Sequence, residues 1–267
     1  MKQTILLALF ALQFFTSCTT SFDKIQKSKD FAYMLTKADE YYDKKSYSKA
    51  NTLYEQLLTV YKGTKTFENL YYRYAFTFYY DRSYLAASYH FKNFCDLFPK
   101  STKTEECAYL NSLCLYNLSP DYTLDQSNTV KSIGELQTFV NTHPDSKRIA
   151  DANKYIDESR DKLEIKDNYG AELYFKIGEY KAAGVAFEQI IRKYPDSKNA
   201  DYYQFMVVKS NFKYAINSIP EKQEDRYKIV MTDANDFLEK YPKSQFKSEI
   251  DKIINLSSQS LKKIASK

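Results

Sequence analysis

Few residues in this sequence could carry out chemistry. The 267 residues include two histidines, His90 and His143, and four cysteines. No glycine-rich phosphate loop, Gly-x-Ser-x-Gly or His-Glu-x-x-His motif occurs. The cysteines and His90 lack the short ligand spacing of a metal site, and the acid pairs Glu105-Glu106 and Glu224-Asp225 suit solvated faces or helix starts. The sequence therefore predicts no catalytic residue, no metal and no cofactor, and a binding protein rather than an enzyme.

One cysteine, Cys18, follows a segment with the features of an export signal. Lys2 precedes the apolar run Ile5–Phe15, which is too short for the ~20 residues that span a bilayer. The run leads into Thr16-Ser17-Cys18, which resembles the lipobox of bacterial lipoproteins, where the cysteine becomes the acylated first residue. We predict a signal peptide at 1–17, lipid attachment at Cys18 and a polar tether at 18–30. An ordinary secretory signal with an incidental cysteine is the alternative.

The other three cysteines, Cys95, Cys107 and Cys114, are an odd number for an oxidising compartment. Cys107 and Cys114 lie seven residues apart on a predicted helix, about 10 Å along its axis, which is too far for a disulfide. Cys95 could pair with either of them across neighbouring helices. Alternatively, all three are buried free thiols that act as small hydrophobic residues.

The composition favours helices over other fold classes. Only five glycines occur, too few for a nucleotide-binding α/β enzyme or for a sandwich with many tight hairpins. Hydrophobic residues make up 43% of the chain, enough to bury a core. The formal charge of +5 comes from closely mixed residues and indicates solubility only. The interleaved Tyr71-Tyr72-Arg73-Tyr74 could stack on bases, but export of the chain argues against nucleic acid as a partner.

A short tail motif, an aromatic residue or His followed by Pro-x-Ser, recurs along the chain. Its copies begin at Phe98, His143, Tyr194 and Tyr241, and a degenerate copy begins at Tyr61. Because His143 stands where the other copies have Phe or Tyr, it is predicted to pack at a helix end rather than to act as a base.

The spacing before each tail matches a known repeat. Ala75, Phe78, Ala87, Phe91 and Pro99 stand 0, 3, 12, 16 and 24 residues from the first alanine, and the same spacing recurs from Ala38 and from Ala171. Small residues allow close helix contact, aromatic residues fill the space between hairpins, and proline ends the second helix. This is the pattern of the tetratricopeptide repeat, a helical hairpin of 34 residues.

The predicted fold is all-α, a right-handed α-solenoid of about five tetratricopeptide hairpins. Repeats 1–3 occupy 31–147, and 148–267 contains an extra or extended helix over Arg148–Glu164, repeats 4 and 5 and a C-terminal capping helix within Ser248–Lys263. The third repeat carries an insertion at Ser119–Asn128 and the fifth an insertion at Ser218–Asp225.

The lipobox and the repeats together resemble the BamD family, lipoproteins of the outer-membrane β-barrel assembly machinery. The most specific stretch is Lys162–Ser197, with its Gly178-Glu179-Tyr180 turn and its Tyr-Pro-Asp-Ser tail. The resemblance implies an outer-membrane, lipid-anchored, periplasm-facing adaptor. It implies that the later repeats bind POTRA domains of the barrel subunit BamA and that the first repeats receive unfolded outer-membrane protein precursors. Another exported tetratricopeptide adaptor, for cell-wall or division machinery, is the alternative.

Two sets of residues are candidate binding sites. In this repeat class the first helix of each pair lines the concave face, and the residues one step beyond the core register in the first two hairpins are aromatic. The candidate peptide groove is Tyr42, Tyr72, Phe76 and Tyr79, and packing of these rings on a neighbouring helix is the alternative. The candidate partner interface is Lys252, Lys262 and Lys263 of the terminal helix, with the Pro220–Asp225 insertion; ordinary solvated surface is the alternative.

Overall fold

The computed structural model describes residues 20–266, which form twelve α-helices and no strand. The predicted signal peptide and Cys18 lie outside the described residues. The helices are α1 (Thr20–Gln26), α2 (Phe31–Asp43), α3 (Tyr47–Tyr61), α4 (Phe67–Tyr80), α5 (Tyr84–Leu97), α6 (Thr104–Asn117), α7 (Ser127–Thr142), α8 (Ile149–Lys176), α9 (Tyr180–Lys193), α10 (Ala200–Ile216), α11 (Pro220–Lys240) and α12 (Lys247–Ala265).

Successive helices pack as hairpins. The pairs are α2 with α3, α4 with α5, α6 with α7, α8 with α9 and α10 with α11, and α12 packs on α10 and α11. The prediction of an all-α fold built from about five tetratricopeptide hairpins and a capping helix is therefore confirmed. The right-handed sense of the solenoid stays a prediction.

The turns inside three hairpins share one backbone conformation. Lys45, Arg82 and Gly178 occupy the same place after the first helix and have positive φ angles of 59°, 59° and 88°. The next residue donates its backbone N–H back into the helix, as from Ser83 to the Phe78 carbonyl (2.9 Å). This is the Schellman ending, in which only glycine adopts the left-handed conformation without strain.

The serine of each tail joins two neighbouring helices. Ser197 Oγ donates to Glu164 Oε1 (2.6 Å) in the preceding first helix and accepts the backbone N–H of Asn199 (3.0 Å), just before α10. The other tail serines make the same pair of bonds, which explains why the motif recurs. Their acceptors are Glu68 for Ser101, Glu105 for Ser146 and Asp201 for Ser244.

The insertions take different forms. The first is a loop between α6 and α7, as its turn-forming residues predict. The second is helical: Pro220 occupies the first turn of α11, where its fixed φ suits a helix start. The segment Arg148–Glu164 before the fourth repeat has no Gly or Pro to end a helix. It continues into the first helix of that repeat, and together they form the single 28-residue α8. The structure therefore has an extended helix here and not a separate extra one.

The chain divides into two compact units. The first contains residues up to 120 and 126–159, and the second contains 121–125 and the residues from 160 onward. The division falls inside α8, between Ser159 and Arg160. The sequence predicts a different grouping, with repeats 1–3 at 31–147 and the extra helix and later repeats at 148–267.

Each unit has a core that follows the predicted register. Ala75 and Ala87 of the first unit and Ala171 and Ala183 of the second are all buried at helix contacts, as their spacing predicts. The fully buried aromatic side chains are Tyr54, Phe91, Phe94 and Phe139 in the first unit and Phe187 and Phe237 in the second. Burial of each such ring stabilises the fold by about 1.5–3 kcal/mol.

Candidate binding surfaces

The residues of the predicted groove meet in one aromatic cluster in the first unit. The Phe76 ring lies 4.6 Å from Tyr72 and 6.2 Å from Tyr79, measured between ring centroids. Tyr42 of α2 reaches this cluster through Tyr80, whose ring centroid lies 6.2 Å from that of Tyr42 and 5.6 Å from that of Phe76. The four predicted residues are thus neighbours, joined by one residue that was not predicted.

Their exposure differs from the expectation for an open groove. Phe76 is only 7% exposed because Phe91 of α5 packs against it edge to face (5.1 Å). Tyr42, Tyr72 and Tyr79 are half-buried, and Tyr80 is 45% exposed. Phe76 is therefore part of the floor of this surface, and Tyr80 is the ring most available to a ligand.

Sequence reasoning missed Tyr80 because the residues one step beyond the core register on α4 are Phe76 and Tyr79, and Tyr80 lies one position further along. It ends α4 and stacks on Tyr47 of α3 at 4.6 Å between centroids. The exposure of the Tyr80 ring depends on how α2 and α3 pack beside it. The spacing of residues within α4 does not predict that packing. We define the tyrosine surface as Tyr42, Tyr72, Phe76, Tyr79 and Tyr80.

Charged side chains hold the tyrosine surface in place. The Tyr72 hydroxyl donates to Glu106 Oε2 of α6 (2.6 Å), while Lys103 Nζ lies 4.7 Å from the Tyr72 ring centroid. Burial and the carboxylate of Glu106 raise the pKa of Tyr72, so its hydroxyl stays protonated. Arg73 contacts the Tyr42 ring at 5.0 Å and donates to Asp39 (3.1 Å). The surface thus has fixed rings with polar tips, an arrangement that can bind apolar side chains and backbone groups of a peptide.

An exposed apolar ridge lies in the second unit and was not predicted. Ile165, Tyr169 and Leu173 of α8 and Ile177, which follows its last residue, are spaced by four residues, so successive members are neighbours, and each is 50–63% exposed. Lys166 Nζ binds the carbonyls of Tyr122 (3.1 Å) and Leu124 (2.7 Å), which holds the 121–125 loop beside it. The four-residue spacing of these apolar residues is the signal that could have identified the ridge from the sequence. A contiguous apolar ridge of this kind typically marks a protein contact.

The predicted interface lysines lie on the terminal helix α12. Lys252, Lys262 and Lys263 are all exposed and have no ion-pair partner among residues 20–266. Lys252 and Lys263 are close to three helical turns apart and share a face, about 16 Å from each other along the axis. Lys262 points about a quarter turn away, so the three form a broad positive region rather than one site. Buried Ile250 and Ile253 attach the helix to the core of the second unit.

The cysteines and histidines occupy packing positions. Cys95, Cys107 and Cys114 are free thiols, and burial raises the pKa of Cys95 to about 11 and that of Cys114 to about 12. They stay protonated and unreactive at neutral pH. Burial lowers the pKa of His90, which pairs with the Tyr71 hydroxyl (3.0 Å) and stays neutral. His143 stacks on Phe139, as its place in the tail motif predicts.

Neither a metal-binding cluster nor a bilayer-spanning helix occurs in the described part of the chain. Between residues 20 and 266, no three His, Cys, Asp or Glu side chains are grouped so that they could hold a metal ion. Over the same residues, no helix combines the length and apolar character needed to cross a bilayer.

The chain is similar to several known proteins. A curated relative, the outer membrane protein assembly factor BamD of Caulobacter vibrioides, is 24% identical over 124 residues. The matched stretch covers 46% of this chain and 41% of that protein. The crystal structure of the P58(IPK) TPR domain aligns with 88% of this chain and 66% of that one, at 15% identity and a TM-score of 0.41.

The family comparison covers most of the chain. The model of the YfiO family, described as outer membrane lipoproteins, matches residues 27–184 and 172–263. The two matches overlap and together span nearly all of the repeats. This chain belongs to the YfiO family of outer membrane lipoproteins.

Proposed function

We propose that this chain is a lipid-anchored scaffold in the assembly of outer-membrane β-barrel proteins. Cys18 carries the lipid, and the repeats face the periplasm. The first unit binds unfolded barrel precursors, and the second binds the periplasmic POTRA domains of the barrel subunit BamA. The observation that carries the proposal is the tyrosine surface, a fixed aromatic region on a chain of this family.

The tyrosine surface suits the end of a barrel strand. Such strands alternate apolar and polar residues and commonly end in an aromatic side chain. Tyr80 and the half-buried Tyr42 and Tyr72 offer large ring area at small entropic cost, because each ring has only two rotatable bonds. The hydroxyls can bind backbone groups of an extended peptide, which lacks intramolecular partners. Recognition therefore depends on strand character more than on one particular sequence.

Tyr80→Ala should weaken binding of a peptide that ends in phenylalanine and alternates apolar and polar residues. We expect the Kd to rise about 5- to 150-fold, corresponding to about 1–3 kcal/mol, because the most exposed ring of the surface is lost. Isothermal titration calorimetry measures the Kd directly. Tyr80 is chosen because Tyr72 also holds Glu106, and its removal would disturb α6.

The matched control is Tyr89→Ala. Tyr89 belongs to α5, the second helix of the same hairpin, and is 63% exposed. Its removal deletes an equally large ring outside the tyrosine surface and should leave the Kd within twofold. Equal affinities of wild type and a folded Tyr80→Ala variant would remove the tyrosine surface from precursor binding.

The second unit offers two contacts for the barrel subunit, the lysines of α12 and the apolar ridge. Lys252/Lys262/Lys263→Glu should lower the affinity for the isolated POTRA domains at least tenfold in low salt, because it reverses the charge of an exposed region. Leu173→Asp should lower the affinity for the POTRA domains by a similar factor, and it should do so at high salt as well. Salt does not screen this loss, because the ridge would bind through burial of apolar surface. Charge reversal is preferred to removal of α12, since Ile250 and Ile253 belong to the core.

Biolayer interferometry at two salt concentrations separates these contributions. Lys222→Glu, an exposed lysine at the start of α11, is the control for charge reversal. A variant that binds like wild type excludes its surface from the interface, and wild-type binding by both variants excludes both the lysines of α12 and the apolar ridge.

A further inference from the structure

The turns that follow second helices are basic in the second unit. These are the segments 194–199 and 241–246. Lys193, Lys198, Lys240, Lys243 and Lys247 lie in them or immediately beside them, against one acid, Asp196. The turns inside the hairpins of the same unit, 177–179 and 217–219, contain Glu179 and no lysine, and only Lys176 lies immediately beside them. Antiparallel helices place the two kinds of turn at opposite ends of the hairpins, so the charge is concentrated at one end.

A cavity of about 450 Å³ lies between the two basic turns. Lys198, Lys240 and Lys243 line it, together with Tyr241 and one carboxylate, that of Asp201. The cavity is a surface depression that is largely open to solvent.

The three lysines that line the cavity are available to a ligand, whereas the other two lysines of this region form ion pairs. Lys193 pairs with Asp167 (2.7 Å) and Lys247 with Asp251 (3.3 Å). Lys198 and Lys243 have no ion-pair partner within the described part of the chain, and Lys240 Nζ lies 5.3 Å from the Tyr241 ring centroid. The cavity thus holds three ammonium groups whose charge is not compensated by an ion pair.

The polar groups at the back of the cavity are already occupied. Asp201 accepts the Ser244 hydroxyl (2.8 Å) on one oxygen and the Tyr202 backbone N–H (2.8 Å) on the other. Ser197 donates to Glu164 (2.6 Å). Recognition therefore falls to the lysines, which bind phosphate as point charges.

We propose that this cavity binds the phosphate headgroup of an anionic membrane lipid. The proposal rests on the function proposed above, because a chain anchored through Cys18 is held at a membrane surface. The same type of turn is basic in the first unit as well: 62–66, 98–103 and 143–148 contain six Lys or Arg and one Asp. Each lysine near an anionic membrane surface adds attraction.

The test is cosedimentation with lipid vesicles. The protein used is residues 19–267, which include every described helix. Vesicles of phosphatidylcholine alone are compared with vesicles that contain 30% phosphatidylglycerol, at about 50 and 300 mM salt. We expect binding to the anionic vesicles only, weaker at the higher salt. Lys198/Lys240/Lys243→Gln, which removes the charges and keeps polar side chains, should lower the affinity at least tenfold.

The control variant is Lys176/Lys181/Lys222→Gln. These three exposed lysines flank the turns at the other end of the same hairpins, and the variant loses the same formal charge. We expect its affinity to stay within threefold of wild type. Circular dichroism of both variants checks that the helices are intact.

Four results would overturn the proposal. They are absence of wild-type binding, equal binding to neutral vesicles, equal losses in the two variants, and saturation by inorganic phosphate without preference for anionic vesicles. Loss of POTRA binding in the cavity variant with unchanged vesicle binding would assign the cavity to an acidic protein instead. The assay contains no precursor peptide, so its failure leaves the precursor-binding experiment with Tyr80→Ala unaffected.

Discussion

Replacing Phe187 by alanine is expected to lower the free energy of unfolding of the second unit by about 3–5 kcal/mol. The Phe187 side chain is fully buried, between Ala183 of its own helix and Tyr202 and Tyr203 of α10. Its removal leaves a cavity that the surrounding rings fill only in part, which adds to the loss of apolar burial. A loss of this size is a large fraction of the stability of a typical domain.

The comparison variant is Val185→Ala, two residues earlier on α9. Val185 is 51% exposed, so its substitution should change stability by no more than about 0.5 kcal/mol. Hydrogen exchange by mass spectrometry, read over α9, α10 and α11, reports the second unit without assuming that the whole chain unfolds in one step. If Phe187→Ala exchanges like wild type in these helices, the register deduced from the repeat is wrong.

The repeat spacing determines much of the fold because each position has a physical requirement. Ala171 and Ala183 are small since helices touch there, and Phe187 fills the space that the hairpin leaves. Those requirements act over short distances along the chain, so they are visible in the sequence. The helical form of the second insertion was harder to see, because proline and charged residues suit both a loop and a helix start.

The binding surfaces were less predictable because they depend on how helices pack. Phe76 was placed in an open groove from its register on α4, but Phe91 of the next helix covers it. Tyr80 is exposed for the opposite reason, since its position at the end of α4 leaves it at the edge of the packed rings. The sequence of a single helix shows which residues share a side of it. Which of those residues are exposed to solvent depends on the helices that pack beside it.

The apolar ridge has a related explanation. Tyr169 and Leu173 carry the residue types of a repeat core, and the periodicity of an amphipathic helix does not say which apolar side is buried. In the structure, Ala171 faces the core and the larger side chains face outward. A large exposed apolar residue therefore lies on each side of a small buried one on this helix.

Cys18→Ala should release the protein from the membrane fraction or leave it as an uncleaved precursor. Each buried methylene of an acyl chain contributes about 0.8 kcal/mol, and a single chain gives only reversible attachment. Under the proposed lipidation, two or three chains on Cys18 would give stable attachment, and the substitution would remove all of them together. Metabolic labelling with a fatty acid and fractionation of membranes measure the two consequences. Cys95→Ser is the control, because Cys95 is a half-buried thiol of α5 whose change should alter neither.

A wash at high salt makes the Cys18→Ala experiment decisive. At 1 M salt the screening length falls to about 3 Å, so attraction between basic turns and anionic lipids is largely lost. Acyl chains in the bilayer are unaffected by screening, because their insertion is driven by the hydrophobic effect. Wild-type protein should therefore stay with the outer membrane after the wash. A Cys18→Ala variant that also stays there, with no less acyl label, would show that the chain is attached in another way.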